Sequence, residues 1–283
     1  MIERFMVFPD FLTFGLLAAA GFGCGDFFGA LASRKTNPKN ALFWTFLFLA
    51  LFWLAFGFWN GSFVPLSAQG YAMALATGFF FLVGDFLFLR ATKNGKITVA
   101  APILALSSVV TVALAILVLG EKPSGFQVAA GIVAVMGGVL VGLKDLRMKE
   151  VEKSAVLLLP AIVSHGIALT LAKVLIDSHG VLVGVSWFES LMVIFLLPFL
   201  MVNRKQVGTP VKENLGSALS YFAGFLGFAT AASIGLLSLA APVANLFPLF
   251  AVLLAVLVYR EELNQHQWVG IGLAITGLIG IAL

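Results

Sequence analysis

Residues 97–127 read ITVAAPILALSSVVTVALAILVLGEKPSGFQ, and residues 237–267 read LSLAAPVANLFPLFAVLLAVLVYREELNQHQ. With a shift of 140 the two stretches agree at 11 of 31 positions, among them Ala100-Ala101-Pro102 on Ala240-Ala241-Pro242, Glu121 on Glu261 and Gln127 on Gln267. Apolar composition inflates agreement between leucines and valines, but it does not put a proline, a glutamate and a glutamine into one register. The chain therefore contains an internal repeat. Each copy is an apolar run of more than one bilayer thickness, closed by charged residues.

Outward from that pair the whole chain has the same character. Of its 283 residues 61% are hydrophobic and 11% charged, whereas a soluble domain carries roughly 25% charged residues. A crossing helix needs about 20 mainly apolar residues. Apolar runs between charged or turn-rich breaks predict ten helices, at 12–32, 40–60, 68–91, 97–119, 124–143, 155–176, 181–202, 215–236, 239–259 and 266–283. The expected fold class is an all-α integral membrane protein, and ten crossings leave no room for a soluble catalytic domain. The net charge of +4 does not indicate nucleic acid, because the basic residues sit in short turns rather than on one face. The single cysteine, Cys24, lies inside the first span and reads as a small packing residue.

The longest polar break, Lys144 to Ser154, falls in the middle of the chain and reads as a cytoplasmic linker between halves 1–143 and 155–283. Five crossings per half is an odd number, so the second copy enters the membrane from the opposite side and the repeats are inverted. Turns after odd-numbered helices hold Arg34, Lys35 and Lys39; Arg90, Lys93 and Lys96; Lys144, Arg147, Lys149 and Lys153; Arg204, Lys205 and Lys212; and Arg260, fourteen of the 17 basic residues. The opposite side has Arg4 and Lys122, and Lys173 lies within a span. The positive-inside rule places both termini outside the cytoplasm of a cell membrane, plasma or inner.

Leu89-Arg90-Ala91-Thr92-Lys93-Asn94-Gly95, then Ala100-Ala101-Pro102, then Leu119-Gly120-Glu121-Lys122 resembles the EamA-type drug/metabolite transporter superfamily. The second copy runs through Ser233-Ile234-Gly235, Ala240-Ala241-Pro242, Pro248 and Arg260-Glu261-Glu262, so the resemblance covers essentially the whole chain. It implies two inverted five-helix repeats around a central cavity open alternately to either side, and a substrate among amino acids, drugs or small metabolites, with export favoured. Where the second copy has Pro248 the first has Ser107-Ser108, so the two copies are expected to differ in flexibility.

Ionisable residues within a bilayer are costly and mark pathways. Those within spans are Asp26, Asp85, His165, Lys173 and Glu189. Asp85 lies five residues before Arg90, about 140° around a helix, so its partner must come from another helix or from water. If Asp26 and Asp85 share a cavity, mutual repulsion and lost hydration favour a proton on one of them. The competing reading solvates each near the cytoplasmic mouth. Glu189 and His165 are expected near substrate depth, and Lys173 has a local partner in Asp177, four residues on. The expected substrate- or proton-binding set is thus Asp26, Asp85, His165 and Glu189.

Pro102 and Pro242 are the expected gating positions, since a missing amide donor frees a carbonyl towards a cavity; toleration in a first helical turn is the plain alternative. Gly21, Gly25 and Gly29, and Gly138 and Gly142, have the spacing of close helix packing. Glu121 and Glu261 end equivalent helices and read as caps or gate-to-loop bonds. The aromatic run from Phe43 to Trp59 is expected mainly to face lipid and its interfaces.

The leading function is a secondary transporter for a small molecule, working by alternating access, with proton coupling the associated expectation. A membrane sensor or scaffold is the alternative and needs no continuous polar cavity. No Walker A sequence, nucleophile elbow or clustered His/Asp metal motif points to an ATP-driven pump or a membrane enzyme, and no cofactor or metal is expected. Helices 1, 3, 4, 6, 8 and 9 are expected to line the cavity, because matching helices of inverted repeats approach one axis.

Overall fold

The computed structural model describes residues 2–94, 97–142, 148–202, 210–259 and 264–282. Twelve helices and no strand are found among the described residues: α1 Ile2–Lys35, α2 Pro38–Asn60, α3 Ala68–Asn94, α4 Ile97–Ala105, α5 Ser107–Leu117, α6 Gly125–Gly142, α7 Met148–His179, α8 Val181–Val202, α9 Val211–Ile234, α10 Leu237–Ala244, α11 Phe247–Tyr259 and α12 Gln265–Ala282. Among the described residues, six stretches are long and apolar enough to cross a membrane: Asp10–Lys35, Pro38–Asn60, Ala68–Lys93, Ala100–Leu117, Val156–His179 and Val211–Ile234. Gly125–Val141, Val181–Leu197 and Leu237–Ala251 are shorter apolar helices. Of the expected central linker, residues 144–147 lie outside the described residues, and Met148 to Ser154 form the first turns of α7.

The expected single helices at 97–119 and 239–259 are each two helices. The chain breaks at Leu106 in the first copy and at Asn245 and Leu246 in the second. The breaks share one register. Leu106 N donates to the Ile103 carbonyl and Val109 N to the Leu106 carbonyl, at 3.2 and 3.0 Å; Leu246 N to Val243 and Leu249 N to Leu246, at 3.1 and 2.9 Å, repeat the pattern 140 residues on. Bonds three residues apart tighten the turn and tilt the following helix. A proline, Pro102 or Pro242, lies four residues before Leu106 and Leu246; its ring crowds the turn before it, so the breaks themselves are set by the turn bonds rather than by the ring. Side chains bond carbonyls at these turns: Ser108 Oγ donates to Ala105 O at 2.9 Å, and Asn245 Nδ2 to Ala241 O at 2.9 Å.

The packing follows the repeat. α1 packs most extensively on α9 and α3 on α7, two interfaces that exchange when one repeat is laid on the other, while α6 packs on α12 and α2 on α8. Lipid tails are as apolar as leucine, so these contacts rest on close van der Waals fit and small residues rather than on escape from water. Gly21 shows the requirement: a Cβ there would run into the backbone of Gly224 on the facing helix. In the α6–α12 pairing it is Gly137 that meets the backbone of Gly270 and Ala274, while Gly138 lies against Leu246 and Asn245 at the second break.

Polar links fasten the ends. Glu121, just beyond α5, accepts from the backbone amides of Leu237 and Ser238, both at 2.8 Å, and so caps α10 of the other repeat. Glu261 lies outside the described residues. At the opposite end Lys35 is paired with Glu213, joining the last turn of α1 to the first of α9. Phe58 and Trp59 are exposed, as the lipid-facing expectation requires, but Phe43, Phe46 and Trp53 are buried. That part of the aromatic run packs inside because α2 lies against both α8 and α9.

Candidate functional site

Where the broken helices meet the long ones there is a cavity of about 50 Å³. A water needs about 10–15 Å³ of such space, so the cavity has room for a small cluster of waters or one small solute. Its walls come from α1, α3, α4, α5, α7, α9, the Asn245 turn and α11. These are the helices expected at 12–32, 68–91, 97–119, 155–176, 215–236 and 239–259.

Asp26 enters the cavity from α1 and is 4% exposed. Tyr221 of α9 donates its hydroxyl to Asp26 Oδ1 at 2.5 Å. The preceding residue makes this contact possible: a Cβ on Gly25 would lie 2.7 Å from two atoms of the Tyr221 ring, so the ring is seated where a side chain is missing. Phe46 stacks on the same ring, with centroids 5.9 Å apart.

Asp85 enters from α3 and is 6% exposed. Its partner is His165 of α7, with Nε2 3.3 Å from Asp85 Oδ1 and Nδ1 3.1 Å from the Ala161 carbonyl. Again a glycine precedes the aspartate, and a Cβ on Gly84 would collide with the imidazole. The hydrogen bonds fix how many protons the pair needs. A carbonyl oxygen only accepts, so Nδ1 carries a hydrogen; Nε2 and Oδ1 then bond only through a second proton, held by one or the other. Asp85 and His165 together form a proton-sharing pair across the interface between the repeats.

Ser107 and Asn245 close the cavity on the side of the broken helices. Ser107 Oγ donates to Asn245 Oδ1 at 3.1 Å, tying the first break to the second. Most of the remaining wall is aromatic. Phe22 and Phe81 each pack edge-on to Phe225, with centroids 5.1 and 5.0 Å apart. Phe247 lines the same space.

Of the expected site residues, Asp26, Asp85 and His165 lie together in this cavity. Glu189 does not line it. It is 1% exposed on α8, with neither carboxylate oxygen hydrogen-bonded, while its neighbour Phe188 stacks on Phe81 at 5.7 Å. Pro102 and Pro242 line no part of it; they precede the breaks that bring Ser107 and Asn245 there. Lys173 is bonded to Asp177 at 2.5 and 2.7 Å. Tyr221, Ser107 and Asn245 were not picked out from the sequence. One available signal was Gly-Asp-Phe, which occurs at 25–27 and again at 84–86.

A family model described as the EamA-like transporter family matches residues 11–143 and, a second time, residues 153–283. No curated protein matches the chain. Among solved structures, one crystal structure of a protein superposes with a TM-score of 0.75 over 98% of this chain and 97% of its own, at 14% sequence identity. At that identity the likeness is one of fold.

Proposed function

The chain belongs to the EamA-like transporter family, and from that premise we propose that it is a ten-crossing secondary transporter that moves a small solute by alternating access and couples the movement to protons. The observation that carries the proton reading is the Asp85 and His165 pair, whose bonding needs a shared proton inside a cavity walled by both repeats. In the cycle, the cavity opens to one side, the pair and Asp26 exchange protons with water, solute binds, and the breaks at Leu106 and Asn245–Leu246 let the helix halves reorient. Glu189, buried with neither carboxylate oxygen hydrogen-bonded, stands as a further proton site. Export is the direction we favour, from the family resemblance. The cavity speaks against a sensor or scaffold, which has no need of one.

Proteoliposomes with and without a pH gradient test the coupling. Asp85→Asn abolishes gradient-driven accumulation, Asp26→Asn and Glu189→Gln reduce it, and solute exchange at equal pH survives in at least one of them. Wild-type flux indifferent to the gradient and matched by all three variants makes these residues structural and the protein a facilitator.

We also place both termini outside the cytoplasm, supported by fourteen of the 17 basic residues on the other side. A cysteine introduced beside Lys149 should react with an impermeant reagent only from the cytoplasmic face. Reaction only from outside inverts the topology.

A further inference from the structure

The cavity has an unbalanced charge and few donors to spare. None of its lining residues is a lysine or an arginine. The Asp85 and His165 pair with its shared proton is neutral as a unit, which leaves an ionised Asp26 as an uncompensated negative charge in a space of about 50 Å³. Most of the polar donors that reach the cavity already have acceptors: Tyr221 donates to Asp26, Ser107 to Asn245, and one of the two Asn245 amide hydrogens to the Ala241 carbonyl. A solute carboxylate or phosphate would find negative charge, no cationic side chain and a single remaining amide N–H to meet it. The rings of Phe22, Phe81, Tyr221, Phe225 and Phe247 present apolar surface, and aromatic faces attract cations, more strongly where water is scarce.

Resting on the transport reading of this cavity, we propose that the solute is a small monovalent organic cation, an ammonium group with a short apolar body, that takes the place of a proton at Asp26. The ammonium meets the carboxylate and the rings cover its apolar part. Bulk is limited by the Ser107–Asn245 contact on one side and the Phe22–Phe225–Phe81 cluster on the other. Protons compete with the cation for the same charge. The groups that set this competition are Tyr221, Asp85 and His165 around Asp26, and Asp26, His165 and Glu189 around Asp85. Cation and proton bound in turn at Asp26 tie solute to proton there, beside the proton shared by Asp85 and His165.

Purified full-length protein in detergent, titrated calorimetrically with ethylammonium, tetramethylammonium, propionate and alanine, tests this. Near pH 8 the two cations bind, while the size-matched anion and zwitterion do not. Near pH 5.5 cation affinity falls about tenfold through competition, and Asp26→Asn lowers it about tenfold at the higher pH. Should Asp26→Asn fail to fold, Phe22→Leu, which keeps the carboxylate and removes a ring, should weaken tetramethylammonium more than ethylammonium. Propionate or alanine binding more tightly than either cation overturns the proposal, as does folded protein that binds neither cation at either pH. Failure of the transport reading is separate: it shows as cation binding that persists while vesicles move neither solute nor protons.

Discussion

The two aspartates of the cavity are seated by the same device and served by different chemistry. Gly25-Asp26 on α1 and Gly84-Asp85 on α3 each put a glycine ahead of the carboxylate, and each glycine accepts a ring from the other repeat, Tyr221 or His165. Tyr221 brings a hydroxyl that donates to Asp26 and keeps its own proton near neutral pH. His165 brings a nitrogen that holds or yields one. One seat is therefore a fixed-donor seat suited to holding a charge for a ligand to meet, and the other is a proton-sharing seat. The absence of a side chain at two positions places both, and the identity of one ring decides what each can do.

The strongest way to break this comparison is to fill the glycines. Gly84→Ala and Gly25→Ala each force a ring off its seat, and overpacking of this kind costs about 1–3 kcal/mol. The loss should be larger at Gly84, where the ring lies nearer and is also held by Ala161 and edge-on to Phe81. Thermal unfolding in detergent measures it, and gradient-driven transport should fall with it. If both variants melt and transport like the wild type, the rings are not seated as described.

Exchanging the rings sharpens the comparison with a smaller effect. Tyr221→Phe keeps the shape and removes one bond to a carboxylate, a loss of about 1.5–3 kcal/mol in that bond at most. Transport should slow, and its pH profile should move along the pH axis while keeping both limbs, because the bond to Asp26 that Tyr221 supplies is gone. His165→Gln should do the reverse, keeping much of the maximal rate and flattening one limb of the pH profile. Identical profiles for the two variants, measured between about pH 5 and 9 across the range in which histidine titrates, would erase the distinction between the seats.

Much of the fold was legible because the bilayer allows few solutions: a crossing helix must be a long apolar run, and such runs show in composition alone. The paired prolines were legible too, but the break lies four residues beyond each of them. Its place depends on the turn at Leu106 and on side chains such as Ser108 and Asn245 that bond the carbonyls there. At the site, Asp26, Asp85 and His165 stood out because a titratable group in an apolar span is rare. Tyr221, Ser107 and Asn245 did not stand out, since hydroxyls and amides within spans are common and most of them bond their own helix. Glu189 had the same sequence signal as Asp85, yet it is buried on α8 and does not line the cavity.

The sequence by itself determined that the chain lives in a membrane, that it is built twice, and that a few buried charges cross with it, because those properties follow from hydropathy, register and residue type. The tertiary structure alone decided which ring serves which aspartate. Partners such as Asp26 with Tyr221 and Asp85 with His165 are 195 and 80 residues apart, and only the approach of α1 to α9 and of α3 to α7, closed over glycines, brings a donor from one repeat within bonding distance of a carboxylate from the other.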